Sequence, residues 1–366
     1  MHALPGPNQE ELSSTPSELQ VPFHRASVGE EEVQAVSEVI RSGWLTMGPK
    51  TFEFEKEFAK YVGARPVLVD IDPATMNIDF EDAARRVTPK TKAIIPVHLS
   101  GQPCDMNENR ALARRHHLRV VEDAAHALPS EYQGKRVGQI SEFTCFSFYA
   151  TKTLTTGEGG MITTDNSEAA ERMRLMRLHG IERDAWKRYH GDGSWFYDVL
   201  EAGFKYNLTD FQSAMGLVQL AKSDSMRLAR EAIAQRYTDA FSYYEELVMP
   251  TVRQDRSTSW HLYILRLRLD RLKKDRNGFI EALQRRGVGC SVHFIPLHLH
   301  PYYRRAHGHQ RGDFPHAERE YHSCLSLPIY PGMTELEINH VISAVLNTLA
   351  EFRILRAVAT HANPIA

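Results

Sequence analysis

No stretch of this chain offers the run of about 18 apolar residues that a membrane-crossing helix requires, so no such helix is expected. Residues 1–20 lack the apolar core of a secretory signal. Rich in Pro, Ser and Glu, they read as a disordered extension. Cysteine is scarce. Cys104, Cys145, Cys290 and Cys324 lie far apart without a C-x-x-C pair, which excludes a zinc ribbon or dithiol redox motif and suggests reduced thiols in the cytoplasm. A dominant charge is missing too: 44 Lys and Arg stand against 46 Asp and Glu, a formal net charge of −2. Neither nucleic acid nor an acidic membrane surface is therefore expected as a partner. Five histidines gather late in the chain (His293, His298, His300, His307 and His309), but without the helical i,i+4 spacing of a zinc motif. They read as surface and substrate-cleft imidazoles, with metal binding as the alternative; no metal is assigned.

What is present is an ordinary globular composition, 42% hydrophobic and 25% charged over 366 residues, long enough for one large domain and a smaller one. Apolar runs alternate with helical patterns, as in an α/β protein. Strand-like runs fall at residues 67–71, 92–99, 118–122, 143–148 and 161–164, and helical patterns at 80–87, 106–117 and 167–179. Three capping boxes mark helix starts: Ser27 with Glu30, Thr209 with Gln212, and Thr334 with Glu337. The first opens a helix that stops near Gly43, followed by another from about Thr51. The second opens a long helix expected to reach about Tyr244, and the third a final helix to about Phe352. Residues 260–267 and 289–294 read as strands around a helix at 276–286.

Two stretches carry chemistry. Phe143 to Tyr149 reads as a strand that stops at a small-residue turn bearing Lys152, and glycines 157, 159 and 160 precede the next strand-like run. A Schiff-base lysine needs such a setting: a rigid strand behind it, small residues that admit a flat cofactor, and desolvation that lowers the amine's pKa. By spacing alone, the ordinary reading is a solvated loop lysine. Residues 118–127 read as a buried parallel strand ending at Asp123. Ligands in open α/β sheets bind at the carboxyl ends of strands, and a carboxylate there can partner the pyridinium nitrogen of pyridoxal phosphate. The alternative is an aspartate that caps the turn.

Glu122-Asp123-Ala124-Ala125-His126-Ala127, Phe146-Ser147-Phe148-Tyr149-Ala150-Thr151-Lys152 and Gly157-Glu158-Gly159-Gly160-Met161 resemble, in order and separation, the DegT/DnrJ/EryC1/StrS family of pyridoxal phosphate-dependent sugar aminotransferases. Phe204 to Gln212 and Val292 to Arg304 resemble further blocks of it, so the likeness runs from Pro22 to about Phe352. It implies a fold-type I transferase, aspartate aminotransferase-like: a large mixed-sheet α/β domain over 21–245, a smaller C-terminal α/β domain over 246–354, and a loose tail over 355–366. It also implies roles. Lys152 would hold pyridoxal 5'-phosphate and shuttle protons, Asp123 would pair with the ring nitrogen, and His126 would contact the ring. Ser147 would donate to the phosphate, and Asn207 would reach the phosphate of a neighbouring subunit, hence a homodimer with a shared active site. Without the resemblance, Ser147 is a half-buried strand residue and Asn207 a polar residue before a helix. Glutamate is the implied amino donor and a nucleotide-linked keto-sugar the acceptor, for lipopolysaccharide, surface glycan or antibiotic amino sugars. A neighbouring branch that dehydrates sugars has histidine in place of the lysine, so Lys152 argues for transamination. The aromatic stretch 180–203 is read either as a surface loop or as a substrate-side and dimer-side segment.

One expected piece is absent. Tyr61-Val62-Gly63-Ala64 passes directly into Arg65-Pro66-Val67. There the family has a strand, a Ser-Gly-Thr-type loop opening a helix, and a strand with an aromatic residue, on the order of 50 residues or one to two βα units. That loop would offer helix N-terminal amides to the cofactor phosphate, and the aromatic would stack on the ring; no residue here is assigned either role. Two readings follow: a working aminotransferase, or a catalytically impaired relative acting as a non-enzymatic subunit or binding protein. A shortened sheet is expected to leave apolar faces and a strand edge uncovered.

Overall fold

Asp79 starts the first described helix, α1 (Phe80–Arg86), its carboxylate accepting from the amides of Glu81 and Asp82. The chain then enters β1 (Ala93–Ile94), crosses back through α2 (Met106–His116) and returns as β2 (Arg119–Asp123), parallel to β1. A parallel pair needs such a crossover, and α2 ends where His117 adopts a left-handed conformation (φ 55°). A tight hairpin follows, β3 (Glu131–Tyr132) and β4 (Lys135–Arg136), turned by Gln133 and Gly134, both at positive φ. β5 (Phe143–Ser147) pairs parallel with β2, and β6 (Gly160–Thr163) antiparallel with β5. The resulting mixed sheet has the order β1-β2-β5-β6. Phe80, Ala83, Met106, Leu112 and Leu118 pack the helices against it.

This computed structural model describes residues 65–182 and 197–354. After α3 (Ser167–Met176), the long helix α4 (Asp210–Phe241) opens on the Thr209–Gln212 capping box. Next come β7 (Leu247–Val248), β8 (Arg256–Ser257) and β9 (Tyr263–Leu267), then α5 (Arg276–Arg285). Two short helices with proline in the first turn, α6 (Pro301–His307) and α7 (Pro315–Ser323), lead into β10 (Cys324–Leu327). The final helix, α8 (Glu335–Phe352), starts at the Thr334–Glu337 capping box. β10-β9-β7 form an antiparallel sheet, whose wholly buried β9 packs with α4, α5 and α8. Tyr237, Phe241, Tyr263, Phe279, Leu325 and Leu349 fill that core. β8 pairs with β3, joining this half of the chain to the hairpin. All four cysteines are free thiols, and no helix among the described residues is long and apolar enough to cross a membrane.

Three strand expectations are corrected. Residues 67–71 form no strand, apart from a single bridge between Ile71 and Ile78. Asp70 instead caps α7, accepting from the amides of His316 and Ala317. Residues 92–99 are strand only at Ala93–Ile94, because Pro96 lacks the donor a ladder needs. Residues 289–294 contribute one bridge, Ser291 to Ser326, before the chain peels off toward Pro296. Two helices are shorter than expected: α3 stops at Met176, before residue 179, and α4 at Phe241. The Ser27–Glu30 box, the helix from Thr51, the extension 1–20, the aromatics Trp186, Tyr189 and Trp195, and the tail 355–366 lie outside the described residues.

β1 and β6 are the edges of the first sheet, and Ile95, Val97, Met161 and Ile162 beside them are about half exposed. Such edges template association. Replacing Ile95 and Met161 together by Lys should raise soluble yield and shift gel-filtration profiles toward smaller species. Stability should change by no more than about 0.5 kcal/mol per site. Unchanged aggregation would show that association arises elsewhere.

Candidate active site

Alternation along β2 sends neighbouring side chains to opposite faces, so Glu122 and Asp123 diverge. Glu122 turns inward, where its carboxylate meets His98 Nε2 at 2.7 Å with both side chains fully buried. The His98 Nδ1 accepts from the Cys104 amide (3.1 Å), which puts the ring proton on Nε2, donating to Glu122. Thr144 Oγ1 donates to the other carboxylate oxygen at 3.3 Å. The same loop holds the strand end by its backbone: Asp123 N donates to Pro96 O (2.9 Å) and His98 N to Asp123 O (3.0 Å). Asp123 Oδ1 accepts from Ala125 N at 3.0 Å, and its second oxygen takes no donor among the described residues. His98→Ala would remove the Nε2 donor and leave one buried Glu122 oxygen unsatisfied; a loss of about 1–3 kcal/mol is expected in urea denaturation. A loss below 1 kcal/mol would show that the pair is dispensable.

Lys152 sits in the turn after β5. Its amide donates to Tyr149 O (3.0 Å), Thr153 Oγ1 donates to Leu128 O, and Thr156 N donates to Phe148 O (3.0 Å). Gly159 closes the loop at φ 148°. A Cβ there would lie 2.7 Å from Thr156 Oγ1 and 2.8 Å from Leu208 Cδ1, so no side chain fits. The Lys152 amine is half-buried and has no hydrogen-bond partner among the described residues. Desolvation holds its pKa below the ordinary lysine range, opposed in part by the charge of Asp123.

Three histidines converge on this lysine. Gly101, at φ 98°, lets the 98–102 turn press against Ser259, where a Cβ would come within 1.9 Å of Ser259 Oγ. Ser130 Oγ donates to Gly101 O (2.7 Å) and accepts from Ser259 N (2.9 Å), and Ser259 Oγ donates to His126 O. His261 N then donates to Ser100 O (3.0 Å), and Ser100 N to His126 Nδ1 (3.3 Å). This stitching sets the His126 and His261 rings 4.2 Å apart. Trp260, immediately before, takes φ 51°, a strained conformation for a bulky residue. Burial, aided by the Lys152 and His293 charges, pushes His126 down to about 3. Burial with the charges of His126, Lys152, Arg230 and His293 takes His261 to about 2. His293, whose Nδ1 lies 2.8 Å from Ser326 Oγ, is also lowered by burial and by Lys152. All three rings are neutral near pH 7.

Residues 26–65 and 60–346 match the DegT/DnrJ/EryC1/StrS aminotransferase family. The chain belongs to that family. An uncharacterised protein of Methanocaldococcus jannaschii is 46% identical over 380 residues, taking in 91% of this chain and 98% of the relative. The spore coat polysaccharide biosynthesis protein SpsC of Bacillus subtilis is 42% identical over 373 residues, 89% of this chain and 96% of SpsC. Among solved structures, Spr1654 of Streptococcus pneumoniae, assigned as a sugar aminotransferase and determined in its PMP form, superposes with TM-score 0.74. It shares 28% identity, covering 91% of this chain and 100% of that one. The fold is thus fold-type I, and the family's enzymes are pyridoxal phosphate-dependent sugar aminotransferases. The aligned span with the archaeal relative exceeds the aligned part of this chain by some tens of residues, so the relative carries a segment that this chain lacks. The two stretches matched to the family overlap at residues 60–65, which marks the junction.

The residues expected from the sequence separate into two groups. Asp123 and His126 each interact electrostatically with Lys152. The three fit the imine-forming and ring-nitrogen ends of pyridoxal phosphate: an unpartnered desolvated amine, a carboxylate with a spare oxygen, and a neutral imidazole. Ser147, at the end of β5, accepts from Tyr149 N (3.3 Å) and keeps its proton free to donate. Asn207 lies before α4, its Oδ1 taken by Lys205 Nζ and its Nδ2 donating to Leu208 O (3.3 Å). Among the described residues no side-chain hydrogen bond or ion pair joins Ser147 or Asn207 directly to the side chains of Asp123, His126 or Lys152. The late histidines scatter: His293 enters the site, whereas His298 is a core residue, 2.8 Å from Glu318 Oε1, and not a surface imidazole. His261 and Arg230 escaped the sequence reading, because a lone histidine before a strand and an arginine in a long helix carry no periodic signal.

Free histidine titrates near 6.5, whereas the folded chain leaves His126 and His261 unprotonated to about 3 and about 2. Within that window the unfolded chain binds more protons, so stability must fall as pH drops. The urea midpoint is expected to decline between about pH 7 and pH 4, and less steeply in His261→Gln. Parallel curves for the two proteins would contradict the burial of a neutral His261.

Proposed function

We propose that this chain moves an amino group from glutamate to a nucleotide-linked keto-sugar, making an amino sugar for a surface polysaccharide or lipopolysaccharide. It works as a cytoplasmic homodimer. One observation carries the reading: a half-buried Lys152 amine without a partner among the described residues, under the influence of the Asp123 carboxylate. When bound, pyridoxal phosphate supplies the electron sink that transamination requires. Asp123 would hold the proton on the ring nitrogen through its spare oxygen, and neutral His126 would pack on the ring without repelling it. Ser147 would donate its hydroxyl proton to the phosphate, and Asn207 would serve the phosphate of the second copy. Lys152 Nζ would take a proton from the donor's α-carbon in the first half of the exchange and give a proton to the sugar carbon that receives nitrogen in the second. Its lowered pKa leaves more of the amine in the basic form at neutral pH.

The segment lost at residues 60–65 favours a second reading, an impaired relative that serves as a subunit. Phosphate contacts are charge-assisted hydrogen bonds worth about 1.5–3 kcal/mol each, so losing two or three weakens cofactor binding by several orders of magnitude. A visible spectrum with added pyridoxal phosphate separates the two. The working enzyme should develop a yellow band that is absent in Lys152→Ala and bleached by glutamate. Absence of any Lys152-dependent band at saturating cofactor would leave the subunit reading.

A further inference from the structure

Among the described residues Arg230 has no partner. It lies on the buried stripe of α4 with Ile233, Ala234 and Tyr237, and only 7% of its surface is exposed. Its Nε and Nη1 are out of solvent with no acceptor, and no carboxylate pairs with it among the described residues. Other arginines on the same helix are served: Arg227 pairs with Glu231, and Arg236 with Glu335. Buried guanidinium groups are ordinarily paired, since a lone charge in the interior is costly. Desolvation lowers its pKa to about 10, so it stays charged near neutrality.

The unpaired guanidinium has a neighbour. The charge of Arg230 is among those that depress His261, and the Nδ1 of His261 is likewise buried without a partner. Through its ring contact with His126, His261 borders the Lys152 pocket. Two orphaned groups, one a cation at neutral pH, therefore lie together on the His261 side of the Lys152 and His126 cluster, where one oxyanion would satisfy both. A planar guanidinium suits a carboxylate, which it grips with two parallel N–H donors. A phosphate dianion would ask for more donors than these side chains offer.

We propose that Arg230, with His261 donating from Nδ1, holds a carboxylate of the amino donor beside Lys152. This rests on the aminotransferase reading and names the residues that select an acidic donor. Arg230 is kept against stability, as functional groups often are.

Calorimetric titration of cofactor-free protein with glutarate, and separately with inorganic phosphate, tests the assignment in the parent, Arg230→Met and Arg230→Lys. Glutarate should bind the parent, at least about tenfold more weakly to Arg230→Met, and with intermediate strength to Arg230→Lys. Inorganic phosphate should not distinguish them. Without ligand, Arg230→Met should melt higher than the parent, because the lone charge is gone; Arg230→Lys serves if that variant does not fold. Equal glutarate affinity in all three, or no glutarate binding to the parent, would overturn the proposal. So would a loss confined to phosphate, which would assign the site to a phosphate group instead. Spectra with pyridoxal phosphate keep the two readings apart. A parent without a Lys152-dependent band, yet with Arg230-dependent glutarate binding, refutes only the enzyme. A band bleached equally by glutamate in parent and Arg230→Met refutes only the carboxylate site.

Discussion

The His98–Glu122 pair is the constraint on which the pocket depends. Two fully buried side chains, 24 residues apart in sequence, tie the loop after β1 to the end of β2. That bond lies directly behind Asp123, whose own backbone is gripped by Pro96 and His98. The loop so fixed carries Ser100 and Gly101, and these dock both His126 and the incoming Ser259–His261 segment. The pair is therefore less a source of stability than a means of fixing one strand end, since the net contribution of a buried hydrogen bond is small while leaving its partners unsatisfied is costly.

Electrostatics in the pocket follow from that packing. Burial pushes Lys152, His126, His261 and His293 toward their neutral forms; the lysine's charge adds to this at the three rings, and Asp123 opposes it at the lysine. Such packing favours the basic form of the amine and keeps three rings uncharged at neutral pH. Arg230 keeps its charge at neutral pH, and so stands out as the positive charge of the group.

Much of this was legible in the sequence, for definite reasons. Capping boxes at Thr209 and Thr334 announced α4 and α8, because paired side-chain and backbone bonds fix a helix start locally. The motif blocks around Asp123 and Lys152 sit at strand ends, as the runs 118–122 and 143–148 indicated. Where a strand needs a distant partner, local pattern failed: residues 67–71 are apolar enough for a ladder but find only one bridge. The small strands β3, β4, β7 and β8 were invisible, being two residues each and defined by pairing across the chain. His261 was missed for the same reason, as it reaches the site through hydrogen bonds to residues 98–130.

The Ser130–Ser259 contact joins residues 129 apart, so the wall of the pocket that carries His261 is supplied by the far end of the chain. Assembly therefore comes late. While the ribosome is still making residues before Trp260, Lys152 already exists but lacks that wall, and contacts of such separation are slow to form. The full histidine cluster beside the lysine is thus a property of the finished polypeptide. A nascent or prematurely ended chain carries the motif without the His261 side of its chemical environment.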